Sequence, residues 1–375
     1  MSFSRSFAPK CACAALAAVI LGCGPRDGSR EFADGKEAYD LRDLKKAERL
    51  FERSVVLAPK DVDRLLYLAR TELELGELAK AQDAAGRIES ADADVALLKA
   101  QIAWHAKDYK SAADRFAGVA NDVKLEPSVR AQGWAGLGVV EMTCDNHHLA
   151  RVAFLRAIRL DRRNAAAWYH LGLLYRDGFG YLEAALEQLE IFVRLEQEAS
   201  PRVQKVQRTV LPALKEQMSR AATERPDAAK RNSSACATAI AAAEQAVKKG
   251  NFKAARESYQ QALAADPLSY PAALGLAKAW EKTDTTKQGQ AKAFENYKIA
   301  CSLRPSAVST FLTTGAMAAR LGFTLQAVEI YSRAVAANPN SLEAIDGLIR
   351  ALRKSGGKSQ VAEAYQAYRS SLAKK

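Results

Sequence analysis

One short stretch of the chain brings together residue types that could perform chemistry. Cys144, His147 and His148 lie within five consecutive residues, and a thiol beside imidazoles can bind zinc or act as a nucleophile. A structural zinc ion needs four ligands in a tetrahedral array, and no second cluster in the sequence supplies the remainder. A nucleophilic pair would also lack recognisable orienting and oxyanion-stabilising partners. The stretch therefore predicts neither a metal site nor a catalytic site.

Other catalytic patterns are missing from the sequence as well. It contains no glycine-rich loop of the kind that binds phosphate, no serine-hydrolase elbow and no paired-carboxylate site. Only four histidines occur in 375 residues, and six cysteines are too few for a disulfide scaffold. We therefore expect a protein that is not an enzyme and that has no cofactor.

The N-terminal residues indicate export. Arg5 and Lys10 precede an apolar run from Cys11 to Leu21. A membrane-spanning helix needs about 20 apolar residues, and this run has about half of that, so it is typical of a signal peptide. The run ends in Ile-Leu-Gly-Cys at Cys23, which resembles the lipobox of bacterial lipoproteins.

This resemblance implies cleavage before Cys23 and diacylation of its sulfur. Residues 1–22 are then a lipoprotein signal peptide and residues 23–30 a lipidated tether. Gly24 follows the cysteine, whereas an aspartate there retains lipoproteins of diderm bacteria at the inner membrane. We expect an outer-membrane lipoprotein that faces the periplasm. An ordinary secretory signal that happens to contain cysteines is the alternative.

The rest of the chain repeats a pattern of small and aromatic residues. Alanines recur about every 34 residues, and in most units an aromatic residue follows four positions later. Trp134 with Gly138 recurs 34 residues later as Trp168 with Gly172. These motifs resemble the tetratricopeptide repeat, which implies stacked helix-turn-helix pairs. Scarce glycine (21) and proline (11) also favour an almost wholly helical chain.

The resemblance implies an all-α fold: an α-solenoid of about nine helical pairs in two arrays, wound as a right-handed superhelix. Residues 31–200 form the first array, of about five repeats, and residues 235–375 the second, of about four. Residues 201–234 do not fit the repeat. We expect them to form an irregular basic helix that starts at Pro201 and is kinked or divided at Pro212, followed by a polar linker. A flexible hinge is the alternative.

Small residues recur where the two helices of each pair would cross. A larger side chain there would hold the helix axes farther apart than the usual ~8 to 10 Å. The aromatic residue on the second helix fills the space between neighbouring pairs, and a proline after that helix stops it. The small residues are Gly35, Ala69, Ala100, Gly138, Gly172, Ala243, Ala277 and Gly315.

Three cysteines would remain in the mature chain. Cys144, Cys236 and Cys301 fall within helical patterns and are expected to be buried as small apolar side chains.

The turn of the seventh pair is unusual. Residues 283–290 should lengthen it by about four residues, in a loop that could contact a partner.

Charge is distributed unevenly along the chain. Residues 26–200 contain 26 basic and 30 acidic side chains, residues 201–234 contain 8 and 3, and residues 235–375 contain 19 and 10. The net charge of +12 therefore belongs to the second part of the chain. Nucleic acid is the usual partner of a basic surface, but an exported protein rarely meets it, so we expect none.

The resemblance also implies that the first helix of each pair lines a concave groove that binds peptides or helices. In the first array this face is apolar, with Leu97, Trp104, Val139, Met142, Tyr169 and Leu173. In the second array it is basic, with Lys278, Lys282, Arg320, Arg350, Arg353 and Lys354. Cations on neighbouring helices can converge on a carboxylate. Ordinary packing of the apolar set and a merely solvated basic face are the alternatives.

These patterns favour a lipid-anchored adaptor of the cell envelope that binds protein partners in its groove. The membrane would be reached through the N-terminal lipid. The alternative is direct binding of an anionic envelope polymer such as peptidoglycan through the basic residues 201–375, which high salt would weaken.

Overall fold

A computed structural model describes residues 27–196, 200–223, 231–356 and 359–373. All regular elements in these ranges are helices, as the sequence predicts. The chain divides into two compact units: unit 1, Met1–Arg115, and unit 2, Phe116–Lys375. The boundaries predicted for the two arrays rest on the repeat pattern, whereas this division reflects which residues contact one another. The array boundaries therefore stay a prediction. Cys23 and the signal peptide lie outside the described residues.

Unit 1 contains α1 (Ser29–Asp40), α2 (Leu44–Leu57), α3 (Val62–Glu74), α4 (Leu78–Gly86), α5 (Ala93–His105) and the first part of α6 (Tyr109–Asn121). The repeated alanines and aromatics form its core, with Ala47, Phe51 and Ala81 wholly buried. Side chains cap the helix starts: Asp43 accepts a hydrogen bond from the Lys46 amide.

Unit 2 begins in α6. Its further helices are α7 (Pro127–Thr143), α8 (His147–Leu160), α9 (Ala165–Leu173), α10 (Leu182–Leu195), α11 (Pro201–Lys205), α12 (Leu211–Thr223), α13 (Ser233–Lys248), α14 (Phe252–Ala265), α15 (Tyr270–Thr283), α16 (Lys287–Leu303), α17 (Val308–Leu321), α18 (Thr324–Ala337), α19 (Leu342–Lys354) and α20 (Ser359–Ala373). π-helical turns follow α9 at Leu174–Phe179 and α11 at Val206–Val210.

The helices follow one another as nine helix-turn-helix pairs in the described residues, five before α11 and four after α12. In most pairs one residue of the turn has the left-handed backbone conformation. This residue is a glycine in some turns, such as Gly76 and Gly250. In three other turns it is a residue with a side chain: Arg42, Lys107 or Asp145. A side chain in that conformation is strained, so these three turns are less stable than glycine turns.

Three of the predicted small residues, Gly35, Gly138 and Gly315, lie against an aromatic ring of a second helix, whereas Gly172 lies against Leu189. A Cβ added to Gly138 would lie 2.5 Å from the ring of Phe154. Tyr331 is enclosed from two sides, because a Cβ would lie 2.8 Å from its ring at Gly315 and 2.2 Å at Gly347, on the next pair. Tyr331 thus fixes both its own pair and the stacking of the next one.

The segment after the fifth pair is helical. α11 begins at Pro201, as predicted, and Val203, Val206 and Leu214 are buried in the core of unit 2. Before Pro212 the chain widens into the π-helical turn, where the Leu211 amide donates to the Val206 carbonyl. Residues 224–230, the centre of the predicted linker, lie outside the described residues.

Two expectations from the sequence are wrong. The seventh pair has no long loop, because α15 ends at Thr283 and α16 begins at Lys287; the extra residues lengthen α16 to 17 residues. Thr286 caps this helix by accepting from the Gly289 amide. Cys236 and Cys301 are buried, but Cys144 is exposed, because it lies at the turn that ends α7.

The second helices of distant pairs pack together in unit 2, a contact that the repeat does not predict. Arg151 on α8 is completely buried. Its Nε donates to the Tyr365 hydroxyl on α20 (2.6 Å) and its Nη1 to the Ser332 carbonyl on α18 (3.0 Å). The guanidinium also lies over the Phe179 ring, 4.7 Å from its centre. We call the surface where α8, α18 and α20 meet the sealed face.

Among the described residues, none of the helices is sufficiently long and apolar to span a bilayer.

Candidate functional site

The apolar set predicted for the first groove is largely used in packing. In unit 1, Leu97 is buried and Trp104 is half-buried, with its ring edge to face with His105. In unit 2, Val139, Met142 and Tyr169 are half-buried against the core. The alternative of ordinary packing fits these positions, and a binding role for them stays a prediction.

Tyr169 and Leu173 show how little of the first groove is free in unit 2. The Tyr169 ring lies 5.0 Å from the Phe192 ring, and the Arg202 guanidinium lies over it at 6.0 Å. Leu173 is half-buried where α9 passes into the π-helical turn. A partner would therefore find only parts of these side chains exposed.

The first helices of the last three pairs form a different surface. A cavity of about 410 Å³ lies over α17, between the end of α15 and the start of α19. Ser309, Leu312, Thr313, Ala316, Met317 and Arg320 line it from α17, Glu281 from α15 and Glu343 from α19. The α17 positions are three or four residues apart, so they share one helix face. Only first helices contribute, as the resemblance implies for a groove.

A second cavity, of about 880 Å³, adjoins the first and shares Glu281 and Arg320 with it. It lies at the turn between α15 and α16. Its lining residues are Glu281, Lys282, Thr285, Lys287, Gln290, Ala291, Arg320, Leu321, Gly322 and Phe323. We refer to the residues that line the two cavities as the open groove. The groove combines cationic and anionic side chains with exposed apolar ones, Phe323 among them.

Arg320 is held in place at the centre of the open groove. Its Nη2 donates to Glu281 Oε1 (3.1 Å) and to Gln290 Oε1 (2.8 Å). Glu281 Oε2 also accepts from the Tyr297 hydroxyl (3.0 Å), and burial followed by the Glu281 charge raises the pKa of Tyr297. Arg320 is thus oriented by a carboxylate, which offsets part of its charge.

The structure brings together only some of the predicted basic side chains. Lys282 and Arg320 line the open groove. Lys278, Arg350 and Arg353 are exposed on α15 and α19 but line neither cavity. Their role in binding stays a prediction.

The structure adds two acidic residues that the sequence interpretation missed. Glu281 and Glu343 line the smaller cavity together with Arg320. Glu281 lies three residues after Lys278 on the same helix, so helical spacing could have placed it on the groove face. The basic residues predicted for this face are all cations, so the carboxylate that orients Arg320 is not among them.

The cysteine-histidine stretch does not form a common site. Cys144 is exposed. Partial desolvation of its thiol, followed by the charges of Glu141 and Asp145, raises its pKa, which disfavours the nucleophilic thiolate. His148 instead lies at the sealed face, with its Nδ1 3.3 Å from the Tyr365 hydroxyl. Among the described residues, the one set of His, Cys, Asp and Glu close enough to hold a metal is Glu48, Glu52 and Glu72 in unit 1.

A model of the tetratricopeptide repeat matches residues 32–89 and 240–300, one segment in each unit. No curated protein matches the chain. Similar solved structures include the MamA protein, which is 19% identical, with 46% of this chain and 93% of that one covered and a TM-score of 0.35.

Two further structures have similarly low scores. Pseudomonas aeruginosa PilF is 14% identical over 66% of this chain and 95% of its own, with a TM-score of 0.39. The Cut9–Hcn1 hetero-tetramer of the APC/C is 14% identical over 96% and 81%, with a TM-score of 0.36. The two segments that the repeat model matches coincide with helical pairs of the structure. Residues 32–89 and 240–300 therefore resemble tetratricopeptide repeats, in a chain whose described regular elements are all helices.

Proposed function

We propose that the protein is a lipid-anchored scaffold of the bacterial cell envelope that binds a segment of a partner protein in the open groove. Tetratricopeptide repeats are protein-interaction modules and are generally not enzymes, which supports a scaffold. The observation that carries the proposal is the pair of adjoining cavities centred on Arg320 and Glu281. They form a preformed surface on rigid helices, which loses little conformational entropy on binding.

The lining of the open groove suggests the chemistry of the bound segment. Lys282, Lys287 and Arg320 offer positive charge beside exposed Phe323. A segment with acidic side chains and one or two apolar ones would pair with both. The exposed cations Lys278, Arg350 and Arg353 lie on α15 and α19, two helices that contribute to the smaller cavity, and would add attraction at longer range.

Site-specific photocrosslinking in the source bacterium tests the groove. A photoreactive residue at Thr313, an exposed position in the smaller cavity, should crosslink to a protein. The same residue at Ile299, exposed on α16 outside both cavities, is the matched control and should not. Equal crosslinking at both positions would reject the groove as the binding surface.

Charge reversal separates groove binding from general attraction. K282E combined with R320E should abolish the Thr313 crosslink, whereas K253E, an exposed change on α14, should leave it intact. If K253E weakens the crosslink equally, attraction depends on overall charge. Peptidoglycan binding would then be favoured, with retention on purified cell wall that is lost at high salt.

The anchor has its own test. Mass spectrometry of the purified mature protein should find a diacylated N-terminal cysteine at Cys23, and C23A should remain uncleaved and unacylated. A mature chain that starts elsewhere, without lipid, would reject lipid anchoring while leaving the groove proposal untouched.

A further inference from the structure

Three glutamates bring their carboxylates together between α2 and α3 of unit 1. Glu48 and Glu52 lie one turn apart on α2, and Glu72 faces them from α3. One oxygen of each lies within 4.8 Å of the other two. Glu52 is exposed, whereas Glu48 is 5% and Glu72 4% exposed. Like charges so close repel one another unless a positive charge lies among them.

Two lysines neutralise Glu48 but not the whole cluster. Lys45 Nζ lies 3.2 Å from Glu48 Oε2 and 2.5 Å from Glu77 Oε1. Lys80 Nζ lies 2.8 Å from Glu48 Oε1 and 2.6 Å from Glu77 Oε2. These four side chains form a closed ring of two carboxylates and two ammonium groups, with no net charge.

Outside that ring, Glu52 and Glu72 retain two negative charges when ionised. Glu72 Oε2 is sealed from solvent and has no hydrogen-bond partner in the described part of the chain. A buried carboxylate without a donor is unfavourable, so a ligand that supplies positive charge would relieve it.

We propose that Glu48, Glu52 and Glu72 bind a hard divalent cation, of the Ca²⁺ or Mn²⁺ type, between α2 and α3. Carboxylate oxygens without nitrogen or sulfur favour Mg²⁺, Ca²⁺ and Mn²⁺ over zinc or copper. Ligand distances of about 2.1 to 2.6 Å allow two oxygens on one ion to lie up to about 5 Å apart, which matches the cluster. Water completes the coordination on the exposed side of Glu52.

The charge balance supports this assignment. The ion supplies two positive charges, which equals the charge that the lysine ring leaves uncompensated on Glu52 and Glu72. It also gives Glu72 a partner at a place where the described residues provide no donor. This site lies outside the open groove, so it is independent of the function proposed above.

Calorimetric titration of the metal-free, full-length chain at pH 8 with Mn²⁺ and with Ca²⁺ tests the site. The unchanged chain should bind one ion, and E72Q should bind at least tenfold more weakly. E37Q is the matched control, because it removes the same charge from an exposed position on α1 and should bind like the unchanged chain. E72Q keeps the shape of the side chain and removes a buried charge, so the fold should persist, which circular dichroism checks.

Thermal unfolding provides a second readout. Millimolar metal should raise the unfolding midpoint of the unchanged chain and of E37Q, and should raise that of E72Q much less. The proposal is overturned if millimolar metal produces neither heat nor a midpoint shift in the unchanged chain. It is equally overturned if E72Q binds as tightly as the unchanged chain.

Discussion

Unit 2 places an arginine on each of two surfaces, and the surroundings of the two side chains are opposite. Arg151 on the sealed face is completely buried and donates to uncharged oxygens of Tyr365 and Ser332. Arg320 in the open groove is exposed and pairs with a carboxylate, Glu281. Arg151 is desolvated, and it cannot exchange its hydrogen-bond partners unless the sealed face unfolds. Arg320 can exchange its partner for a ligand at little cost.

This difference indicates which surface of the unit can bind. On the sealed face α8 contacts α20 and α18, whereas α15, α17 and α19 leave the smaller cavity open and the end of α15 leaves the larger one open beside the start of α16. Changes at the sealed face should therefore alter stability, and changes in the open groove should alter binding. Four predictions test that separation.

The largest effect on stability is expected from R151A. It leaves a cavity and removes the donor to the Tyr365 hydroxyl and the Ser332 carbonyl, so the free energy of unfolding should fall by about 3 kcal/mol or more. R151M should cost less, because it fills the space and avoids the desolvation of a buried charge. Chemical denaturation measures both. An R151A variant as stable as the unchanged chain would show that the sealed face does not hold unit 2 together.

The next effect concerns the helix crossings on which the repeats depend. G138A places a methyl group against the Phe154 ring and should destabilise unit 2 by about 1 to 3 kcal/mol. G118A is the control, because a Cβ at this α6 position meets nothing within 4 Å. It should stabilise the helix by roughly 0.5 to 1 kcal/mol. Equal effects of the two changes would contradict the packing account.

Acid should weaken the sealed face. Burial, followed by the Arg151 charge, lowers the pKa of His148 to about 3, so the folded chain keeps it neutral while the unfolded chain protonates it near 6.5. Above pH 6.5, His148 is neutral in both the folded and the unfolded chain, so its burial causes no loss of stability. As the pH falls from 6.5 toward 3, only the unfolded chain takes up the proton, and the folded chain loses stability. Between pH 7 and pH 5 the loss should reach about 1 to 2 kcal/mol.

Hydrogen exchange of α8 and α20 peptides measures this loss, because these two helices belong to the sealed face. H148Q should remove much of the pH dependence. His170 has a similarly lowered pKa, about 4, from burial and from Arg202, and accounts for part of what remains. Exchange rates of these peptides that do not respond to pH would contradict the burial of a neutral His148.

The smallest effect on stability is expected from R320A. An exposed ion pair contributes at most about 1 kcal/mol, so the unfolding free energy should change little. The Thr313 crosslink, in contrast, should weaken strongly. A destabilisation as large as that of R151A would place Arg320 among the residues that hold the fold, and the two surfaces would no longer differ in role.

Much of the fold is readable from the sequence because the repeat encodes local contacts. Gly138 and Phe154 belong to one pair, so their spacing along the chain already predicts their contact. Arg151 and Tyr365 lie 214 residues apart and belong to no repeated motif. Their contact depends on how the whole of unit 2 curves, which small deviations at each crossing determine.

The candidate site was predictable in part for the same reason. Helical periodicity places Lys282 and Arg320 on the groove face, and both line cavities. It cannot tell which apolar positions remain accessible, because Met142 and Tyr169 are covered by neighbours from outside their own helices. Nor does it show that Arg320 is held by Glu281, since those side chains come from different pairs.

The most direct test of the open groove as the binding surface compares hydrogen exchange of the full chain alone and with the protein that the Thr313 crosslinker captures. Binding should slow exchange in α17 and at the junction of α15 and α16, and leave α8 and α20 unchanged. Slower exchange confined to α8, α18 and α20, or to unit 1, would contradict the account.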